Sequence, residues 1–232
     1  MNPPFPKGIK AVIFDLDDTL VESTVNYGKF KRLVIDRITD RGEDGSEYRM
    51  DETIVVILSR YEKAMKGKGL SKGEIASRLA ELDRIMDEVE LESVDETVAI
   101  RGAAEVLDHL RRNGVKVGIL TRGCHEYATA ALRATSMLDM VDALECRNSD
   151  TKAKPDPESY LKLVSQLGVG KDETLFVGDH PIDAQCASNA TVPFVGVLSG
   201  DVPEEVLRRS GSMAVFRDVG EMLDWIRSGL SS

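Results

Sequence analysis

The segment "IKAVIFDLDDTL" (9–20) limits the possible folds more than any other part of the chain. Residues 9–14 carry apolar side chains on both alternating faces, the pattern of a strand covered on both sides, as in a parallel sheet. Comparable runs follow at "VKVGILT" (115–121), "TLFVGD" (174–179) and "PFVGVL" (193–198), with shorter candidates at "DALEC" (142–146) and "MAVF" (213–216). Each of the longer runs ends where polar residues or glycine begin. Between them lie helical patterns: Val106, Leu107 and Leu110; Tyr160, Leu161, Val164 and Leu167; Met222, Leu223, Ile226 and Leu230. Strand and helix alternate, which implies βαβ units with right-handed crossovers. The predicted class is α/β, a Rossmann-like open parallel sheet with helices on both faces.

Residues 21–98 interrupt this order with three helical stripes and no confident strand. The stripes are Phe30, Leu33, Val34 and Ile38; Ile54, Leu58, Tyr61 and Met65; and Ile75, Leu79, Leu82, Ile85 and Val89. Turn residues at 42–46 and 67–72 separate them. A crossover needs only about 10–12 residues, so this segment reads as an inserted all-helical domain. The predicted organisation is a core of residues 1–20 and 99–232 with an insertion of 21–98.

With 232 residues, 42% of them hydrophobic and 30% charged, the chain can bury a sizeable core and shows none of the composition of a disordered protein. A net charge of -10 argues against broad binding to nucleic acid or an anionic membrane surface, so any phosphate recognition must be local. No apolar run approaches the ~18 residues of a membrane span, and "MNPPFPKGIK" lacks the regions of a signal peptide. A cytoplasmic location is the expectation. Cys124, Cys146 and Cys186 are far apart and form no C-x-x-C pair, which suits reduced thiols. Cys124, near a helix start, reads better as a packed thiol than as a reactive one.

In an open parallel sheet, ligands bind outside the carboxyl ends of the strands, where the strand order reverses. Asp15 and Asp17 follow the first strand, Thr121 the second, and Asp179 and Asp183 the fourth. Lys154 lies in the loop before the helix that leads to that fourth strand.

These residues carry a family resemblance. "DLDDTL", "ILTRG", "KPDPESY" and "VGDHPID", in that order and at those strand ends, resemble the four motifs of the haloacid dehalogenase superfamily. The resemblance covers roughly residues 9–20 and 100–200. By placement alone, the insertion is similar to the helical cap of the phosphoglycolate phosphatase and β-phosphoglucomutase-like branch. A cation would relieve the repulsion among Asp15, Asp17 and Asp18, and Mg²⁺, with its preference for few carboxylates and octahedral oxygen, suits Asp15, Asp179 and the Asp17 carbonyl. The resemblance implies the same ligands, with Asp183 ordering them. It further implies that Asp15 attacks phosphorus in line to form an aspartyl-phosphate, and that Asp17 protonates the leaving alkoxide and then deprotonates water. Lys154 and Thr121, with the backbone amides of Leu16 and Arg122, would stabilise the phosphoryl oxygens.

The implied activity is a Mg²⁺-dependent phosphatase for a small phosphorylated metabolite of the phosphoglycolate or sugar-phosphate class, working as monomer or homodimer. Its rivals are a phosphotransferase of the β-phosphoglucomutase type and a non-catalytic module that senses a phosphometabolite. Plainer roles stand beside the catalytic ones. Asp18 and Thr19 suit a turn or cap, Thr121 a strand end, His180 a loop and Asp183 a helix N-terminus. Lys29, Arg32, Lys63, Lys66 and Lys68 suit a solvated helical face. Arg122 stands where the family commonly has asparagine, and Asn189-Ala190 where alanine-glycine is common; the Arg122 guanidinium could bind a second anionic group on a substrate.

Overall fold

The computed structural model describes residues 3–92 and 94–230. Its strands are β1 (Ala11–Phe14), β2 (Val21–Glu22), β3 (Val98–Ala99), β4 (Lys116–Leu120), β5 (Ala143–Glu145), β6 (Thr174–Gly178), β7 (Phe194–Val197) and β8 (Ala214–Phe216). Six of these form one parallel sheet in the order β5-β4-β1-β6-β7-β8. Counted along the chain, that is the doubly wound order 3-2-1-4-5-6, with its reversal between β1 and β6. All six apolar runs of the sequence are strands of this sheet, because a strand covered on both faces leaves an unbroken apolar signature.

The remaining two strands correct the expectation of no strand within 21–98. Val21 pairs with Ala99 and Glu22 with Val98 in a short antiparallel ribbon, which sets the two ends of the insertion side by side. The chain divides into two compact units, Met1–Ser23 with Val94–Ser232, and Thr24–Ser93.

The second unit holds α1 (Tyr27–Asp40), α2 (Ile54–Gly67) and α3 (Lys72–Leu91). Asn26 and Thr53 cap the first two helices, and Ser71 with Glu74 forms a capping box on the third. The unit has its own core, which includes Phe30, Val34, Ile38, Ile57, Tyr61, Met65, Leu82 and Met86. Leu33, expected inside, is exposed, and the fully buried Ile57 and Met86 lay outside the expected stripes. With 3.6 residues per turn, a stripe read from sequence can drift by one position.

The first unit carries α4 (Ala103–Arg112), α5 (His125–Ala134), α6 (Glu158–Leu167), α7 (Pro181–Ala190), α8 (Glu204–Arg209) and α9 (Leu223–Leu230). On α6 the inward face is Tyr160, Leu163, Val164 and Leu167, whereas Leu161, expected inside, is exposed. These residues pack with Ile13 of β1 and Phe176 of β6 in one cluster. Each such side chain contributes about 1.5–3 kcal/mol when fully buried, so this cluster anchors the two central strands. The three cysteines are buried thiols. Among the described residues, no helix is long and apolar enough to cross a membrane.

Gly118 sits at the tightest point of this packing. A Cβ there would lie 3.0 Å from Leu167 and 3.2 Å from both Ile13 and Leu163. Gly118→Val is therefore expected to overpack the α6–sheet contact and lower stability by about 1–3 kcal/mol, measured by urea unfolding. A neutral result would show that α6 can move away from β4.

Candidate active site

Asp15 continues β1, and its N–H donates to the carbonyl of Val177 on β6 (2.9 Å). The chain then turns sharply. The Leu16 carbonyl accepts N–H groups from Thr19 (3.3 Å), Leu20 (2.8 Å) and Val21 (3.1 Å), while Asp18 takes a left-handed φ of 54°. Aspartate is among the few non-glycine residues that adopt this conformation readily. The Asp18 carboxylate accepts from the Ser23 N–H (3.0 Å), and its carbonyl accepts from the Ser199 hydroxyl (2.5 Å). Asp18 thus builds the turn.

Lys154 reaches the same place from the loop between β5 and α6. Its Nζ donates to Asp15 Oδ1 and to Asp183 Oδ1, both at 2.6 Å, and the side chain is almost wholly buried. Asp183, in the first turn of α7, accepts the His180 N–H on its other oxygen (3.1 Å), and His180 Nδ1 accepts from the Ile182 N–H (3.2 Å). His180 is therefore the cap of α7 rather than a plain loop residue, and Asp183 serves the helix and the lysine together. Asp179 follows β6 and accepts from the buried Thr19 hydroxyl (3.4 Å). Two glycines make room for these carboxylates: a Cβ at Gly178 would lie 2.6 Å from Asp183 Oδ2, and one at Gly200 would lie 2.1 Å from Asp179 Oδ2.

The other expected residues arrive through the backbone. Phe14 pairs with Ile119, so Leu16 and Thr121 end adjacent strands at one level. The Thr121 hydroxyl accepts the Gly123 N–H (2.9 Å). The Leu16 amide, expected to face a phosphoryl oxygen, lies close enough to the Asp15 carboxylate to pull its pKa down slightly. The half-buried Arg122 offers its carbonyl to Arg147 (2.9 Å). Asp17 turns its carboxylate to the hydroxyl of Tyr127 on α5, at 2.5 Å. Cys124 caps that helix, its sulfur accepting the Tyr127 N–H (3.4 Å).

Tyr127, Ser199 and Gly200 were not foreseen from sequence, and Thr19 was expected only as a turn or cap residue rather than as a partner of Asp179. One signal for Tyr127 was available: side chains in the first turn of a helix lean back toward its N-terminus, here the carboxyl end of β4.

Charge is out of balance at this site. Asp15, Asp179 and Asp183 each bring an oxygen to within 4.8 Å of the others, with Lys154 as the cation buried among them. Two carboxylates 4 Å apart repel by about 4 kcal/mol at an effective dielectric constant of 20. Burial, with Asp15 and Asp183 adding repulsion, pushes Asp179 up to about 9; burial also raises Asp15, to about 6, against the pull of Lys154. Burial disfavours the Lys154 ammonium, but Asp15 and Asp183 more than restore it, so its pKa lies above the ordinary lysine value. A site with oxygen donors alone and an excess of buried negative charge fits a hard divalent cation.

A family model described as haloacid dehalogenase-like hydrolase matches residues 12–197. The chain belongs to the haloacid dehalogenase-like hydrolases. Within this family, a phosphoglycolate phosphatase of Rhodospirillum rubrum is 31% identical over 224 residues, covering 94% of this chain and 90% of the relative. A validoxylamine A 7'-phosphate phosphatase of Streptomyces hygroscopicus subsp. limoneus is 28% identical over 191 residues, covering 82% of this chain and 86% of that one. The crystal structure of a hydrolase from Pseudomonas syringae shares the fold, with a TM-score of 0.69 at 23% identity, over 94% of this chain and 98% of the other.

The raised carboxylates of this haloacid dehalogenase-like site have a measurable effect on stability. Folded Asp179 keeps its proton up to about 9, while the unfolded chain releases it near 3.8. Between those values the folded state binds more protons, so stability falls as pH rises. His180, whose pKa is lowered by burial, acts in the opposite sense only up to the ordinary histidine value of 6.5. From pH 7 to 8.5, the melting temperature of chelator-treated protein is therefore expected to fall by at least about 2–4 °C, the shift that 1 kcal/mol gives at this size. A flat or rising profile would contradict the uncompensated charge.

Proposed function

We propose that this enzyme is a Mg²⁺-dependent phosphatase that hydrolyses a small phosphorylated metabolite through a phosphoryl group carried on Asp15. The observation that carries this reading is the buried Lys154 ammonium bridging Asp15 and Asp183 at the strand-order reversal, with Asp179 beside it. The two relatives support it, because both are named for hydrolysis of a phosphate ester. Those esters differ widely, so the reading stops at small phosphorylated metabolites, including phosphoglycolate and sugar phosphates.

Asp15, Asp179 and the Asp17 carbonyl would hold Mg²⁺, which when bound neutralises charge between a carboxylate nucleophile and phosphoryl oxygens. Asp15 forms a bond to phosphorus as the ester P–O bond breaks, and Asp17 gives its proton to the departing alkoxide. Water then attacks phosphorus, Asp17 takes the water proton, and Asp15 leaves as a carboxylate with inorganic phosphate as product. Lys154, held charged by its two partners, acts as donor and counter-charge rather than as a base. Thr121 and the amides of Leu16 and Arg122 add donors to the transferring oxygens, and Asp183 keeps Lys154 in place. The Arg122 guanidinium would meet a second anionic group on the substrate. The helical unit Thr24–Ser93 would serve as a cap that excludes bulk water during transfer and reopens for product.

The test is phosphate release by the purified protein from phosphoglycolate, sugar phosphates, nucleotides and pyrophosphate, with Mg²⁺ or with EDTA. Release from small monoesters that EDTA abolishes is expected. Asp15→Asn should fold with an unchanged circular dichroism spectrum and show only background release, and Asp17→Asn should lose about 10²–10⁴-fold in turnover. Isomerised sugar phosphate without release would mark a phosphotransferase, and undiminished turnover by Asp15→Asn would overturn the mechanism. Added Mg²⁺ should also raise the melting temperature more at pH 8.5 than at pH 7, since it relieves the charge that grows over that interval.

A further inference from the structure

We propose that Tyr127 is the positioning residue for Asp17, fixing the carboxyl so that its second oxygen faces the leaving group. This rests on the reading of Asp17 as the proton donor above. Tyr127 is fully buried, and its hydroxyl reaches Asp17 Oδ1 at 2.5 Å, joining residues 110 positions apart. The ring has little room to move. The Tyr127 N–H is tied to the sulfur of Cys124 at the helix cap. On one side the ring lies against Gly123, where a Cβ would sit 2.8 Å from Cδ1 and 3.3 Å from Cε1. Gly123 is in turn held by the Thr121 hydroxyl (2.9 Å). Thr121, Gly123 and Tyr127 thus form one rigid support at the end of β4.

Asp17, by contrast, stands half-buried on a tight turn. A carboxyl that must first give a proton and then take one needs the same orientation in both steps. A phenol provides this, because its O–H can donate to Oδ1 whether the proton rests on Oδ2 or has left. The tyrosine exchanges no proton itself. It determines which oxygen does.

A buried tyrosine hydroxyl needs an acceptor in any case, so the test must separate positioning from mere satisfaction of that hydroxyl. Tyr127→Phe, Asp17→Asn and the double variant are compared with wild type on β-glycerophosphate, phenyl phosphate and p-nitrophenyl phosphate, reading kcat/KM at a temperature where the circular dichroism spectra coincide. The nitrophenolate departs without needing a proton, whereas the glycerol alkoxide requires one. If Tyr127 positions the acid, Tyr127→Phe loses about 10–100-fold on β-glycerophosphate, the size expected for a hydrogen bond to a charged group, and under about 3-fold on p-nitrophenyl phosphate. The double variant is then no slower than Asp17→Asn alone. Equal losses on all three esters, no loss on any, or losses that multiply in the double variant would overturn the proposal. A wild type without turnover, or Asp17→Asn losses that ignore the leaving group, would remove the reading of Asp17 and the proposal with it.

Discussion

Lys154 carries its ammonium into a space where Asp15 and Asp183 each approach to 2.6 Å, with almost no access to water. A buried charge is tolerated only when paired and hydrogen-bonded, and removal of one partner from such a cluster costs about 3–5 kcal/mol. Much of the site geometry follows from meeting that demand. The order reversal between β1 and β6 brings Asp15 and Asp179 to one edge of the sheet, and the cap of α7 turns Asp183 toward the lysine. Gly178 and Gly200 are small because a side chain at either would occupy the space of a carboxylate. Even so, the cluster holds more negative than positive charge, and that surplus is the physical argument for a metal ion.

The haloacid dehalogenase-like fold divides its work between strand ends and turns. The strands supply rigid positions for Asp15 and its neighbours, since Ile13 and Phe14 are fully buried and paired on both sides. The turn after β1 supplies Asp17, whose carboxylate meets a hydroxyl from α5. In this arrangement, Lys154 and the carboxylates around it are fixed by burial and pairing, while the Asp17 carboxylate takes a hydrogen bond from the Tyr127 hydroxyl. The helical unit has its own core, so its sequence can vary without disturbing the strand ends.

What could be read from sequence follows the length and range of each signal. The six sheet strands stood out because both faces of a central strand are apolar, and the polar residues after them stood out by contrast. The two-residue ribbon β2–β3 was invisible, because Val21–Glu22 and Val98–Ala99 are too short to show any period. Leu33 and Leu161 were placed inside because they adjoin truly buried positions on the helix circumference. Asp15, Asp179 and Asp183 could be gathered from their places after strands, and Lys154 from its place in the loop before a helix. Tyr127, Thr19 and Gly200 could not, since their roles depend on neighbours 110 or 160 residues away in the first two cases, or on a backbone approach that has no local signature.

In the proposed mechanism Asp15 carries the phosphoryl group in transit. This is tested most directly by acid-quenching the enzyme during turnover, reducing with borohydride and locating the product by peptide mass. Homoserine is expected in place of aspartate at position 15, dependent on substrate and absent when Mg²⁺ is chelated. Reduction at another residue, or steady turnover with position 15 unmodified at every quench time, would contradict it.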